Sequence, residues 1–240
     1  MPEYFLLERD DRVATLIFNR PEKRNPLNEE VVLEFESLLH QIRDDRKVRV
    51  LIVTGSGNTF SAGADLSTLK EVTDPAERQR LFAPLSKRRS RLIGRTLTVL
   101  ASLEQFTIAA VNGYAIGGGW GIALGCDIRV VVADAQFWFP EVDLGVPLSP
   151  EATSLLVAQS GPAIAKEVII TCRRYTAEEL LPMGLVNRIV EKPQLYPTVH
   201  EMAHAIARKN PVAVMGAKTT INAVSAGARA LRLDLLLDRT

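Results

Sequence analysis

The sequence predicts an α/β fold, with helices packed on a mostly parallel sheet. Three observations carry that prediction. Strand-like and helix-like runs alternate along the 240 residues. Two of the strand-like runs, VRVLIVTG and FTIAAVN, are continuously apolar, as strands buried on both faces are. Each of these two runs leads into a glycine-bearing loop, FSAGADL at Phe60 to Leu66 and IGGGWG at Ile116 to Gly121.

Taken in order, YFLLERD and RVATLIFNR predict a strand hairpin around the acidic turn Asp10, Asp11 and Arg12. The segment NEEVVLEFESLLHQIRDDRK places Val31, Val32, Phe35, Leu38, Leu39 and Ile42 at helical spacing. VRVLIVTG is the next strand, followed by the polar loop SGNTFSAGAD and a charged, amphipathic segment around Arg78 to Leu103. FTIAAVN and DIRVVVAD are further strands. From Pro150 the pattern turns helical, broken by one short strand at LVNRIVE, and the stretch from Pro193 to Thr240 reads as a helical appendage.

Composition excludes several classes. The chain is 47% hydrophobic and 24% charged, as ordinary globular proteins are. A net charge of +1 gives no electrostatic reason for a nucleic acid or an anionic membrane as partner. Two cysteines, Cys126 and Cys172, lie in apolar runs and read as buried thiols rather than a disulfide framework. The start, MPEYFLLERDD, has neither the basic end nor the apolar core of a signal peptide, so a cytoplasmic location is expected.

Ligands of α/β sheets bind outside the carboxyl ends of the strands, so the two glycine loops are expected to face one pocket. Backbone N–H groups at helix starts favour negative charge there. One N–H from Ala64 and one from Gly118 would form a two-donor oxyanion hole, the device that stabilises a developing enolate. The competing reading is a pair of tight strand-to-helix turns without chemistry.

Two other motifs point to different classes. HEMAH, His200 to His204, fits the zinc pattern H-E-x-x-H, with Glu201 as the base. It lacks a downstream third ligand: no Asp, Glu, His or Cys occurs from Ala205 to Leu233, and Asp234 and Asp238 sit near the chain end. An exposed helix with two surface histidines is the competing reading, and no metal is expected. A dinucleotide-binding turn is the other motif, but IGGGWG lacks the G-x-G-x-x-G spacing and has no ribose-binding acid at the usual distance, the nearest being Asp127 and Asp134.

Five stretches in order carry a resemblance: NRPEKRNPLN, FSAGADL, NGYAIGGGWGIALGCDIRV, AQFWFPEVDLGVP and TAEELLPMGLVNRIVE. With them the chain resembles the enoyl-CoA hydratase/isomerase (crotonase) superfamily. The resemblance implies a ββα spiral core over residues 1–192 and a C-terminal helical segment over 193–240 in oligomer contacts, as homotrimer or hexamer. It implies an acyl-CoA thioester substrate, coenzyme A entering only as part of that substrate, and no permanently bound cofactor. Ala64 and Gly118 would be the oxyanion donors. Arg20, Lys23, Arg24, Ala62, Asp65, Gly117 and Trp138 would surround the substrate and its CoA part, although Asp65 also reads as a helix cap. Trp138 and Met183 also read as core or acyl-pocket lining.

Hydratases of this superfamily use two glutamates. The first position, aligned by GGGWG, is Gly121 here, and the second is Glu141. One base suffices to move a double bond, whereas hydration divides two tasks between two groups. Glu141 alone therefore points to a Δ3,Δ2-enoyl-CoA isomerase, with its pKa raised by the apolar flanks Phe137, Trp138, Phe139 and Val142. Two alternatives remain: a hydratase or related lyase in which Glu151 is a second acid, and a non-catalytic acyl-CoA-binding relative. Glu151 also reads as a helix N-terminal charge, with Ser149 as the cap.

Overall fold

The computed structural model describes the backbone of residues 3–67 and 74–237, without the side chains at 75, 76, 78, 79, 82, 83 and from 226 onward. In chain order its first elements are β1 (Phe5–Asp10), β2 (Val13–Phe18), β3 (Pro26–Leu27), α1 (Glu29–Asp44), β4 (Val50–Gly55), β5 (Thr59–Ser61), β6 (Gly63–Ala64) and α2 (Pro75–Ala101). Then come β7 (Phe106–Val111), β8 (Tyr114–Ile116), α3 (Gly118–Gly125), β9 (Ile128–Val132), β10 (Gln136–Trp138) and α4 (Pro150–Thr171). The chain closes with β11 (Tyr175–Thr176), α5 (Ala177–Leu180), β12 (Arg188–Val190), α6 (Leu195–Ala207) and α7 (Pro211–Leu237).

The principal sheet runs β1-β2-β4-β7-β9-β12. β1 and β2 are the antiparallel hairpin the sequence predicts, closing at the Asp10–Val13 pair with Asp11 at φ 51° in the turn. Every other pairing in this sheet is parallel. All six residues of β4 are buried, which is why that run carries no polar alternation.

A second sheet, β11-β10-β8-β5, is built from strands of two or three residues. Three of its four members follow principal strands directly: β5 after β4, β8 after β7, β10 after β9. Each strand pair then leads to a helix, so the chain advances as successive ββα units, as the resemblance implies. The turn from first to second strand places the loops after β6 and β8 side by side.

The helices close the core. α1 buries Val31, Val32, Phe35, Leu38, Leu39 and Ile42, the same six positions its periodicity marks, and Asn28 caps it by accepting the Val31 N–H at 2.9 Å. α3 is buried along almost its whole length, with Trp120 stacked on Phe139 at 4.4 Å. Ser149 caps α4 through the Ala152 N–H, and α4 is really two helices joined at Gly161, whose φ of 81° and ψ of 167° interrupt the spiral.

After Glu191 the helices are of two kinds. α6 lies on β4, β7 and β9 and buries Leu195, Val199, Ala203 and Ala207 in the main core. α7 touches β7 and leaves Val212, Ile221 and Val224 exposed. It is pinned by the buried Lys218, which donates to the Gln105 carbonyl and pairs with Asp127, each at 2.8 Å. No described helix is long and apolar enough to cross a membrane.

Candidate active site

Two close backbone contacts assemble the site. Gly63 has φ +72°, and a Cβ there would stand 2.5 Å from the Ile116 carbonyl oxygen. Only a glycine lets the β6 loop come this near the end of β8. Gly117 has φ 50° and ψ −123°, and a Cβ on it would lie 2.8 Å from Oε1 of Glu141. Its N–H is held by the Trp138 carbonyl at 3.0 Å. One missing side chain thus brings the loops together, and the other makes room for a carboxylate.

The backbone donors follow from this packing. Along the β6 segment the Ala62 N–H is bonded to the Arg24 carbonyl at 2.9 Å, and the Asp65 N–H to the Leu27 carbonyl at 3.0 Å. Gly63, at φ +72°, breaks the alternation after Ala62, and the Ala64 N–H, one residue before the bonded Asp65 and opposite Leu27, is turned away from β3. Gly118 opens α3, and the first bond within that helix runs from the Gly121 N–H to the Gly117 carbonyl at 2.9 Å. The Gly118 N–H accordingly has no partner inside the helix. Ala64 and Gly118 both line one cavity, together with Ala62, Gly117 and Glu141.

Glu141 follows β10 and is partly exposed as a residue, but its carboxylate end is enclosed. Its Oε2 is out of contact with solvent and has no hydrogen-bond partner among the described residues. Burial pushes its pKa up from the ordinary carboxylate value to about 7, and a bond to its own backbone N–H offsets this only in part. The cavity that Glu141 lines is bounded by other apolar residues than the flanks the sequence suggests. Phe137 and Phe139 are buried against Trp120, and Val142 is exposed. Leu144, Val146 and Leu66 form the apolar cluster on that side instead.

Other sequence candidates fall outside the cavity. Trp138 contributes its carbonyl to Gly117, while its ring lies under the Arg174 guanidinium at 4.6 Å and edge-on to Tyr114, so it does not line the pocket. Arg20 faces Asp65 at 3.7 Å. The Asp65 carboxylate accepts the Ser67 N–H at 3.0 Å, at a helical turn that begins at the edge of the described residues. Burial opposes its ionisation, yet the Ser67 bonds and the Arg20 and Arg89 charges hold its pKa below the usual range. Lys23 and Arg24 are exposed on the turn tied to Ala62. Met183 packs at the margin of the core.

Glu151 is not brought to the site. The Ser149 cap starts α4 so that the Glu151 carboxylate lies against Gly94 of α2, in a groove that adjoins the cavity at Leu97 but does not include Glu141. The Rossmann alternative also fails on its acids. Asp127 accepts from the Thr107 N–H at 2.7 Å and pairs with Lys218, and Asp134 faces Lys192 at 3.9 Å.

Sequence reasoning missed Arg89 and Glu29. Arg89 lines the cavity and donates to the Asp65 carbonyl at 2.9 Å, and the basic run Lys87 to Arg89 on α2 was the signal that could have found it. Glu29 also lines the cavity but is engaged by Arg88 in a partly exposed ion pair. Gly121 faces Leu97 and Ala152, both cavity residues, at 3.4 and 3.5 Å from where its Cβ would be.

A sheet of ββα units, two loop amides at one cavity and a buried carboxylate define an α/β acid–base site, and the comparisons give it a family. The model of the enoyl-CoA hydratase/isomerase family matches residues 8–236, and the chain belongs to that family of enzymes. It is 36% identical over 221 residues to a crotonyl-CoA hydratase of Syntrophomonas wolfei, covering 92% of this chain and 82% of that one. Its structure is similar to an enoyl-CoA hydratase from Bacillus anthracis at TM-score 0.81 and 31% identity, covering 92% and 83% of the two chains. It is also similar to a monofunctional enoyl CoA isomerase from M. smegmatis at TM-score 0.76 and 31% identity, covering 93% and 94%.

Proposed function

We propose that this enzyme is a Δ3,Δ2-enoyl-CoA isomerase with Glu141 as its single acid/base. The observation that carries the reading is the pairing of one buried carboxylate, its Oε2 without a partner among the described residues, with a glycine at position 121. The thioester carbonyl of a 3-enoyl-CoA accepts from the Ala64 and Gly118 N–H groups. Glu141, ionised, removes a proton from C2, and the electron pair moves into the thioester, leaving its oxygen negative. The two N–H groups stabilise that charge. Protonated Glu141 then returns the proton to C4 as the double bond settles between C2 and C3. A carboxylate with a pKa near 7 suits both halves, because it gives and takes a proton at similar cost.

The apolar wall from Val32, Ile93 and Leu97 suits an acyl chain. Arg89 at the cavity, with Arg20, Lys23 and Arg24 on the neighbouring turn, offers cations for the phosphates of CoA. The exposed apolar residues of α7, Val212, Ile221 and Val224, support assembly into a trimer or a pair of trimers.

The hydratase names of relatives such as the Syntrophomonas wolfei protein favour a second reading, water addition to a 2-enoyl-CoA. Initial rates with 3-enoyl and 2-enoyl thioesters of one chain length decide between the two. Isomerisation is expected to exceed hydration, to vanish in Glu141→Gln while CoA-thioester binding persists, and hydration is expected to rise in Gly121→Glu. Hydration equal to isomerisation in the unmodified enzyme would contradict the single-carboxylate reading. Binding without turnover of either substrate would leave a non-catalytic acyl-CoA binder.

A further inference from the structure

The H-E-x-x-H segment has no third ligand downstream, but the fold brings one from the far end of the chain. His200 and His204 stand one turn apart on α6, with ring centroids 6.3 Å apart. The last residue of β1, Asp10, meets them: its Oδ2 lies 2.9 Å from Nε2 of His204. Ligand atoms of Asp10, His200 and His204 all lie within 4.8 Å of one another. Small side-chain rotations close that spread to the roughly 3.3–4 Å that separates ligands around one zinc ion.

We propose that Asp10, His200 and His204 form a divalent-metal site of the zinc class that clips α6 to the β1–β2 hairpin. Two imidazoles and a carboxylate are the donor set that zinc takes, and three protein ligands leave a fourth position for water. The scaffold is already rigid. Val199 and Ala203 are buried beneath the histidines, and Asp10 is paired with Val13 in the hairpin ladder. The site is also open to an ion, because the His204 and Asp10 side chains are 28% and 66% exposed. On binding, the ion takes the place between Nε2 of His204 and Oδ2 of Asp10, with the imidazole neutral and its one ring proton on Nδ1.

Position separates this site from the catalytic chemistry. Val13 pairs with Val50, the first residue of β4, so Asp10 sits at the amino-terminal edge of the parallel strands. The Ala64 and Gly118 loops follow the carboxyl ends of β4 and β7. An ion at Asp10 therefore ties chain segments together and takes no part in the thioester reaction. It joins residues 194 positions apart, a long closure that constrains the unfolded chain.

The test is calorimetric titration of Zn²⁺ into the full chain, free of any histidine tag and stripped with chelator, followed by thermal unfolding. One saturable equivalent is expected. At a hundredfold excess over Kd the unfolding midpoint is expected to rise by roughly 5–10 °C. His200→Ala, His204→Gln and Asp10→Asn should each weaken binding at least about tenfold, the cost of losing even an outer-shell partner. Their enoyl-CoA turnover should match the unmodified enzyme, and the agreement of three variants guards against one that folds poorly. No saturable binding up to millimolar Zn²⁺ would overturn the proposal. So would Asp10→Asn binding as tightly as the unmodified chain, since the histidine pair alone would then hold the ion.

Discussion

Glu141 is buried because three things converge on it. Gly117 leaves space for its carboxylate, Leu144 and Val146 cover that side, and Oε2 finds no donor among the described residues. Each disfavours the charged form, so its folded pKa of about 7 stands above the ordinary value near 4.5. A raised folded value means that the stability contribution is fully present below pH 4.5 and is lost as pH rises through about 7. Glu141→Gln removes that loss. The variant should match the unmodified protein below pH 4.5 and exceed it at pH 8 by on the order of 3 kcal/mol, measured by denaturant unfolding at both values. Isomerisation kcat/KM should rise with pH to a plateau, with its midpoint near 7, because the free enzyme must carry the ionised base. A variant no more stable at pH 8 would mean that the carboxylate is solvated in solution.

At the scale of elements, the amino end of α3 is the decisive piece. Its first residue carries an N–H that the helix does not use, and Gly117 before it takes a backbone conformation closed to other residues. Proline is tolerated at a first helical position and has no N–H. Gly118→Pro should therefore leave far-UV circular dichroism unchanged and reduce turnover by about a hundredfold or more, the usual effect of deleting one oxyanion donor. Unchanged turnover would remove Gly118 from the chemistry. The long elements were legible in the sequence because their patterns are long: α1 buries the six positions its spacing marks, and β4 is buried throughout. The second sheet was not. β8 and β10 have three residues each, too few for an alternation to register, and what fixes them is pairing with distant chain.

At the scale of the whole molecule, the site is a product of packing between segments, and that governs what sequence reasoning could reach. Ala64, Gly117, Gly118 and Glu141 lie on loops whose order the motifs preserve, and all four meet in one cavity. Arg89 and Glu29 carry no motif, since their place depends on how α2 and α1 pack together. Trp138 was read from its side chain, whereas its carbonyl is the part that touches the site's backbone. Glu151, the second residue of a capped helix, lies against Gly94 of α2 and does not line the cavity. The Asp10, His200 and His204 cluster was invisible for the same reason: its third member is 190 positions from the nearer histidine, reckoned from residue 10 to residue 200.

The central claim is that one buried carboxylate moves the α-proton of a thioester whose oxygen is held by two backbone amides. Its most direct test is proton exchange at C2 of an acyl-CoA thioester in deuterated solvent, followed by NMR. The unmodified enzyme is expected to incorporate deuterium, with loss of exchange in Glu141→Gln despite retained thioester binding. Exchange that persists in Glu141→Gln, or none in an unmodified enzyme that binds the thioester, would contradict it.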